Sequence, residues 1–306
     1  MHEGSKKAII AAFLANLGIA IAKFIGFLIT RSAGLLAESA HSLADTGNQG
    51  LLLFGSKRAL RKADRQHPFG YGPERYFWSF VVALVLFSMG GLFAIYEGIS
   101  KLAHPHGIDS AIVAYIILGL SIVLEGYSLR TAVHEAAPLK GARRSWWSFI
   151  KEAKSPELPV VLLEDAGALI GLVFALLGLS LAEITGNARF DAVGSIAIGV
   201  LLVAIAIVLA VEMKGLLIGE SAADDVQQAI ETAIATSPNV VGLIHIRSMH
   251  LGPEELLVVA KIDYNHDLTV SELAQAVDTT EVAIRAAAAL SMTIYIEPDI
   301  RRQLPS

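Results

Sequence analysis

Two pairs of ionisable residues lie inside long apolar segments of this chain. His41 and Asp45 fall in the second apolar run, and Glu164 and Asp165 fall in the fifth. A charged side chain at the centre of a bilayer costs about 3 kcal/mol even on the lenient insertion scale, so such residues usually face a cavity and have a function. Because His41 and Asp45 are four residues apart, a helix places them on one face. An imidazole and a carboxylate that converge in this way suit a borderline divalent metal such as zinc.

The second pair presents a choice of ligand. Successive residues of a helix point about 100° apart, so Glu164 and Asp165 cannot face one small ion equally well. We predict Asp165 as the ligand and Glu164 as either a further ligand or a neighbouring proton carrier. The second and fifth runs would cross a membrane in opposite directions, which allows Asp45 and Asp165 to meet in its cytoplasmic half. The structural alternative for Asp45 is an ion pair with a base such as Lys23 that helps two spans pack.

Two further acids lie in apolar runs. Glu38 comes three residues before His41, shares its helix face and is expected at the outer mouth of the pathway. Glu125, in the fourth run, either lines the pathway or pairs with Arg130, and the residues alone do not separate these alternatives. Both acids are therefore candidate pathway residues.

The overall composition indicates a membrane protein. The chain has 306 residues, of which 54% are hydrophobic and 17% charged, and its mean hydropathy is +0.57. Soluble domains carry about 25% charged residues. The formal net charge of −5 provides no reason to expect nucleic-acid binding. The complete absence of cysteine excludes disulfides and thiolate zinc sites. No Ala-x-Ala-like cleavage site follows the charged start, so we expect the first apolar run to be a retained span, not a signal peptide.

Six apolar runs are long enough to cross a bilayer. They cover residues 8–30, 33–56, 77–102, 109–133, 158–181 and 189–213. Lys and Arg concentrate in the connections 57–75 and 134–156, so the positive-inside rule places both loops and both termini in the cytoplasm. The expected fold class is therefore an α-helical membrane protein with six transmembrane helices. Its expected location is a bacterial inner membrane, and an organelle membrane is the alternative that the residues leave open.

After residue 213 the long apolar runs stop, which predicts a transmembrane domain over 1–213 and a cytoplasmic domain over 214–306. The second domain begins with a helix over 221–236, with Ser221 as its N-cap and acids in its first turn. Two β-branched segments flank Gly252-Pro253 and predict a hairpin, which a second helix and a short strand follow. These later elements are predicted over 240–249, 256–264, 270–290 and 292–296. Their order fits a compact α+β domain resembling a ferredoxin-like split sheet.

The loop after the second run contains a weaker candidate metal site. Asp64 and His67 are three residues apart and could bind a metal weakly. The alternative is a turn-rich loop with solvated charges, because glycine and proline crowd the segment His67–Gly72. On spacing alone, the turn is the more common structure.

Three segments of the chain together resemble the cation diffusion facilitator family. They are Gly34–Asp45 in the second run, His67–Gly72 in the following loop and Ile294–Asp299 near the C-terminus. The specific feature is the sequence His-Pro-Phe-Gly-Tyr-Gly at about twenty residues after His-x-x-x-Asp. The resemblance covers nearly the whole chain. It implies a homodimer in a lipid bilayer that exchanges a divalent cation for protons, at a tetrahedral site with two ligands each from the second and fifth spans.

Carried over residue by residue, the resemblance assigns His41 and Asp45 to the second-span pair and Asp165 to the fifth span. The fourth ligand position falls on Val161, whose side chain cannot bind metal. The implied site therefore has three protein ligands, or it recruits Glu164 or water.

The resemblance is incomplete at the two other metal sites of the family. A third loop position, often histidine, is Tyr71 in this chain. His245 matches a metal-binding histidine that occurs in the cytoplasmic domain of some members, but its usual partners fall on Lys261, Tyr295 and Glu297. Because lysine is a poor ligand at neutral pH, we expect no dinuclear cytoplasmic site. The domain would then hold the dimer together by packing alone.

These expectations combine into a function. Ligands must lose protons to bind a metal, so a site that opens alternately to the two sides of a membrane exchanges metal for protons. We expect an antiporter that exports zinc, with manganese, iron(II) or cobalt as alternative cargo and with no organic cofactor. The alternative is a membrane-bound metal sensor or scaffold without transport. An enzyme is not expected, since the chain has no His-Glu-x-x-His or comparable paired-histidine motif.

Overall fold

The computed structural model describes residues 3–105, 107, 110–140 and 145–301, with side chains from Asn16 onward. The chain divides into two compact units. The first comprises Met1–Lys57 and Tyr76–Lys214, and the second comprises Arg58–Arg75 and Gly215–Ser306. The basic loop that connects the second and third apolar runs therefore packs with the second unit.

The first unit is built from long helices. In chain order they are α1 (Glu3–Thr30), α2 (Ala33–Ala59), α3 (Glu74–Val85), a π-helical segment (Leu86–Leu92), α4 (Phe93–Ala103), α5 (Ala111–Lys140), α6 (Trp146–Glu152), α7 (Glu157–Thr185) and α8 (Arg189–Ile218). The π-helical segment joins α3 and α4 into one helix, Glu74–Ala103. In the described part of the chain, this helix, α5, α7 and α8 are long and apolar enough to cross a membrane.

Each of the six predicted apolar runs corresponds to one long helix, although residue 109 at the start of the fourth run lies outside the described residues. The first two long helices, α1 and α2, differ from these four for separate reasons. In α1 the apolar stretch within the described side chains is the shorter Asn16–Thr30. In α2 the polar residues Glu38, His41 and Asp45 interrupt the apolar surface. Helix α2, which contains the candidate ligands His41 and Asp45, is therefore the least apolar of the six long helices.

Glycines allow the helix Glu74–Ala103 to pack closely against α8. A Cβ atom on Gly98 would lie 2.8 Å from the carbonyl oxygen of Ala192, and one on Gly199 would lie 2.7 Å from the carbonyl oxygen of Gly91. Real Cβ atoms do not approach backbone atoms this closely, so a larger side chain would force the helices apart. Small residues at such crossings are typical of membrane helix pairs.

The second unit packs two helices on one mixed sheet. Its elements are α9 (Asp224–Ala235), β1 (Val240–Gly252), β2 (Glu255–Tyr264), α10 (Val270–Ala287) and β3 (Ser291–Asp299). The strand order is β1-β2-β3, with β1 antiparallel and β3 parallel to β2. Alternate side chains of the central strand, from Leu256 to Ile262, are completely buried with Ile230 and Ile284 of the two helices. This alternation is that of a sheet with one covered face.

The predicted order helix, strand, strand, helix, strand is confirmed, with two local differences. Ser221 is not the N-cap, because α9 begins only at Asp224 and Ala223 precedes it without a side-chain cap. The amide of Ala222 donates instead to Ser248 Oγ on β1, so this stretch is tied to the sheet before the helix starts. The second helix ends at Ala287, before 290, since the chain must turn into β3.

Candidate metal-transport site

Helix α2 brings His41 and Asp45 together as their four-residue spacing predicts. His41 Nδ1 lies 3.4 Å from Asp45 Oδ1, and the His41 side chain is completely buried. Neither ring nitrogen of His41 nor Asp45 Oδ1 makes a hydrogen bond to any residue that the structure describes. Buried polar atoms are nearly always hydrogen-bonded, so three unsatisfied ones in one place require an explanation. A metal ion that accepts a lone pair from one ring nitrogen of His41 and one from Asp45 Oδ1 would account for two of them.

A small cavity lies between α2 and the fifth predicted span, α7; Asp45 lines it, but His41 is not among its lining residues. The residues that line it come from α1, α2, α5 and α7: Asn16, Ile19, Ser42, Asp45, Gln49, Glu125, Val161, Glu164 and Asp165. Its volume of about 20 Å³ is enough for one water molecule or one ion. The structure therefore brings Asp45, Glu164 and Asp165 to one cavity, as predicted, and places Val161 in its wall.

Neutral side chains orient the two acids of α7. Asn48 Nδ2 donates to Glu164 Oε1 over 2.6 Å, and Ser128 Oγ donates to Asp165 Oδ2 over 2.8 Å. Such second contacts hold a carboxylate in a defined direction and are typical of metal-binding sites. The sequence analysis did not identify Asn48, although its position three residues after Asp45 on the same helix face was a usable signal. Ser128 had no comparable signal.

A buried lysine occupies the centre of a second charged group. Lys23 Nζ lies 3.1 Å from Glu38 Oε2, 2.8 Å from Ser42 Oγ and 3.6 Å from Glu125 Oε1. Lys23 therefore pairs with Glu38 and Glu125. It does not pair with Asp45, which the sequence analysis considered as its partner. Its signal in the sequence was a single base within an apolar run.

The same group corrects two expectations. Glu38 is completely buried against Lys23 and is not exposed at an outer mouth. Glu125 lines the cavity and lies 3.6 Å from Lys23 Nζ, so its cationic partner is Lys23 and not Arg130. The physical reason is that α1 and α5 pack side by side, which offers the Glu125 carboxylate a cation closer than any on its own helix.

The described residues do not include a group of three or more His, Asp or Glu side chains close enough to bind one ion together. His41 and Asp45 form a pair, and Glu164 and Asp165 reach the same cavity from the facing helix. A metal shared between α2 and α7 would therefore need these side chains to lie closer to one another than they do in this structure.

In the loop, Asp64 acts as the centre of a turn. Its Oδ1 accepts hydrogen bonds from the amides of Gln66 and His67, and its Oδ2 accepts one of 2.6 Å from the Tyr71 hydroxyl. The Tyr71 hydrogen bond, followed by that from the His67 amide, lowers the pKa of Asp64 to about 2. His67 Nδ1 lies 3.5 Å from Asp64 Oδ1. These contacts favour the turn over the loop metal site, because both carboxylate oxygens already have donors.

In the second unit, a lysine occupies a position where the resemblance implies a ligand. His245 on β1 is the register partner of Lys261 on β2, which in turn pairs with Glu297 on β3. Lys261 Nζ lies 3.0 Å from Glu297 Oε1 and 2.8 Å from Asp299 Oδ2. These acidic hydrogen-bond partners raise the pKa of Lys261. The lysine thus remains charged and neutralises both carboxylates.

Comparison with known proteins identifies the family of this chain. The cation efflux transmembrane domain matches residues 9–218. Over 266 residues the chain is 32% identical to a mitochondrial proton-coupled zinc antiporter of Homo sapiens, covering 86% of this chain and 46% of that protein. It is also 26% identical over 264 residues to a metal cation efflux system protein of Cupriavidus metallidurans, covering 84% of this chain and 77% of that one.

The chain spans less than half the length of the mitochondrial relatives that it matches. The domain match nevertheless covers more than two thirds of this chain, including all the long helices and the candidate site. The chain therefore belongs to the cation efflux family, the cation diffusion facilitators that its sequence motifs predicted.

Proposed function

We propose that this chain carries a divalent metal cation, with zinc as the first candidate, across a membrane in exchange for protons. The observation that carries the proposal is the set of unsatisfied atoms on α2: both ring nitrogens of His41 and Oδ1 of Asp45 are buried without a hydrogen bond to any described residue. A divalent cation accepts lone pairs from this combination of nitrogen and oxygen donors.

The proposed transport ligands are His41 and Asp45 of α2 together with Asp165 and Glu164 of α7. Val161 adds no ligand, so Glu164, held by Asn48, supplies the missing donor or leaves its place to water. When the cation leaves, these groups take up protons, because a cavity with several carboxylates cannot remain uncompensated in a membrane. Metal and protons thus compete for one site. The printed name of the human relative, a proton-coupled zinc antiporter, agrees with this exchange.

A carboxylate-rich site with a single histidine also allows harder cations. Manganese, iron(II) and cobalt are therefore alternative cargo, and the balance between His41 and the acids decides among them.

The proposal includes the membrane arrangement. All six long helices cross the bilayer, α1 and α2 included, because their polar side chains face the cavity and each other. Both termini lie in the cytoplasm, on the side of the basic loops. The domain boundary is near residue 213, and the α-β-β-α-β unit after it is a ferredoxin-like domain through which two chains form a homodimer. The membrane is a bacterial inner membrane.

A membrane-bound sensor or scaffold is the rival function. It would depend on a strong metal site outside the membrane, and the two candidates, at Asp64 and His245, have a tyrosine or a lysine in place of a ligand. Antiport is therefore preferred.

The decisive test uses the full chain in sealed vesicles with an imposed pH gradient. Uptake of zinc, manganese, iron(II) and cobalt is followed separately, for the wild type, Asp45→Ala and Glu164→Ala. We expect gradient-driven uptake of zinc, its loss in Asp45→Ala and a lower apparent affinity in Glu164→Ala. Asp278→Ala, which removes an exposed carboxylate on α10, serves as the matched control. A folded protein that moves none of the four metals would overturn the proposal.

A further inference from the structure

We propose that Lys23 is a built-in cation that fills a second cation site, formed by Glu38, Glu125 and Ser42, and thereby restricts the membrane domain to one divalent ion. The claim rests on the proposed function, because it concerns the selectivity of the same pathway. Its evidence is the arrangement of charges around Lys23.

The oxygens around the Lys23 ammonium resemble a cation-binding shell. Two carboxylate oxygens and one hydroxyl oxygen surround Nζ, at 3.1, 3.6 and 2.8 Å, and they come from α2 and α5. All the donors are oxygens, which is the set that hard cations such as Mn²⁺ or Mg²⁺ prefer. The neighbouring site differs from this one because it includes the imidazole of His41.

The second carboxylate oxygen of Glu38 has no donor among the described residues. Glu38 Oε1 is buried and makes no hydrogen bond to a described residue. It faces α7, since a Cβ atom on Gly171 would lie 2.5 Å from it. A lysine donates from a single point and leaves this oxygen unused, whereas a metal ion could be bound by both oxygens of a carboxylate.

A second lysine that is buried within the described part of this unit shows that the arrangement is unusual. The Lys101 side chain is also completely buried, but both oxygens of its partner Asp191 accept hydrogen bonds. Both carboxylate oxygens of Asp191 therefore have hydrogen-bond donors, and the pair is a structural contact. The Lys23 group is not saturated, and it adjoins the cavity through Ser42 and Glu125.

Charge balance gives Lys23 its effect on selectivity. Five carboxylic acids lie around the cavity and the lysine: Glu38, Asp45, Glu125, Glu164 and Asp165. One lysine and one divalent cation offset part of this charge. Without the lysine, Glu38 and Glu125 would attract a further cation, because an uncompensated buried carboxylate is costly.

Equilibrium dialysis of the purified full chain in detergent tests the inference by counting bound Mn²⁺ and Zn²⁺. We expect Lys23→Met to bind one more Mn²⁺ per chain than the wild type. Lys23→Arg keeps the charge and is expected to bind no additional ion. Lys214→Met, at an exposed position of α8, is the matched control for the loss of a lysine. Adding Glu38→Gln to Lys23→Met should abolish the additional Mn²⁺.

A folded Lys23→Met chain that binds as many ions as the wild type would overturn the inference. If Lys23→Met does not fold, Glu38→Gln is compared with the double variant Lys23→Met/Glu38→Gln. In Glu38→Gln the lysine loses its nearest carboxylate and repels the divalent ion, so we expect its zinc affinity to be weaker than that of the double variant by about tenfold. Equal affinities would show that Lys23 only supports packing.

These results separate the inference from the proposed function. Wild-type transport of zinc together with unchanged ion counts in Lys23→Met would refute the inference alone. An additional Mn²⁺ in Lys23→Met, without transport by the wild type, would refute the transport function and retain the second cation site.

Discussion

Lys101 and Asp191 form a completely buried ion pair in the membrane unit, with Lys101 Nζ 2.8 Å from Asp191 Oδ2. Asp191 also accepts hydrogen bonds of 2.7 Å from Ser32 Oγ and from the amide of Ala33, the first residue of α2. Lys101 Nζ donates in addition to the carbonyl oxygen of Arg31. The pair therefore joins the end of α4 and the start of α8 to the start of α2. Because His41 and Asp45 lie on α2, this contact helps to position the pair proposed as metal ligands.

We expect Asp191→Asn to destabilise the protein strongly. The change leaves the Lys101 ammonium buried without its counter-charge, which costs about 3–5 kcal/mol when one partner of such a pair is removed. Thermal unfolding in detergent measures it, and Arg189→Gln, at an exposed position beside the helix start, is the control. Asp191→Asn combined with Lys101→Met should recover part of the loss. An unchanged melting temperature in Asp191→Asn would contradict this account.

Val161→His should supply the fourth ligand of the transport site. Val161 lines the cavity with Asp45 and Asp165, so an imidazole there can complete a tetrahedral set. We expect zinc to bind about tenfold more tightly or better, as judged from the size of ligand effects at metal sites. Calorimetric titration of the purified chain gives the affinity. Val161→Leu, which changes shape without adding a donor, should not tighten binding, and equal affinities of the two variants would contradict the assignment.

His41→Asp should shift the preferred cargo from zinc toward manganese. The substitution removes the only imidazole proposed as a ligand and leaves an all-oxygen set, which harder cations prefer. Competition between the two metals in vesicle uptake measures the ratio of their transport rates. The prediction fails if His41→Asp transports both metals in the wild-type ratio.

Tyr71→Phe should raise the pKa of Asp64 from about 2 toward its ordinary value of 3.8, because the Tyr71 hydroxyl is the largest cause of the depression. A depressed carboxylate pKa stabilises the folded loop above the unfolded pKa, and this contribution is lost as the pH falls from about 4 to about 2. In Tyr71→Phe most of this pH-dependent stabilisation between about pH 2 and pH 4 should disappear. The ¹³C chemical shift of the Asp64 carboxylate reports both titrations. Coincident curves for the wild type and Tyr71→Phe would disprove the role of the hydroxyl.

Lys261→His should create a zinc site in the second unit. His245, Lys261 and Glu297 are register partners on adjacent strands, so their side chains are neighbours across the sheet. The imidazole would replace an ammonium that now neutralises the acids. Zinc bound per full chain is counted in the Asp45→Ala background, which weakens the transport site. Lys261→Gln is the control, and an equal count in the two variants would contradict the prediction.

Local sequence patterns were sufficient to predict most of the helices and strands of this protein and one contact between candidate ligands. The four-residue spacing of His41 and Asp45 predicts their contact, since one helical turn brings such residues together. Apolar runs of sufficient length predict the six long helices. Alternating and β-branched segments predict the strands, because side chains on a strand alternate between its faces. All these patterns involve residues within a few turns or within one strand.

Only the tertiary structure decided which distant residues meet. Asn48 and Glu164 are 116 residues apart and bind each other because α2 and α7 both reach the cavity. Lys23 takes Glu38 and Glu125 as partners, a choice that depends on how α1 packs against two other helices. A pattern along the chain determines the face on which a side chain lies. The partner on the opposite face depends on the packing of whole helices, and no local spacing encodes it.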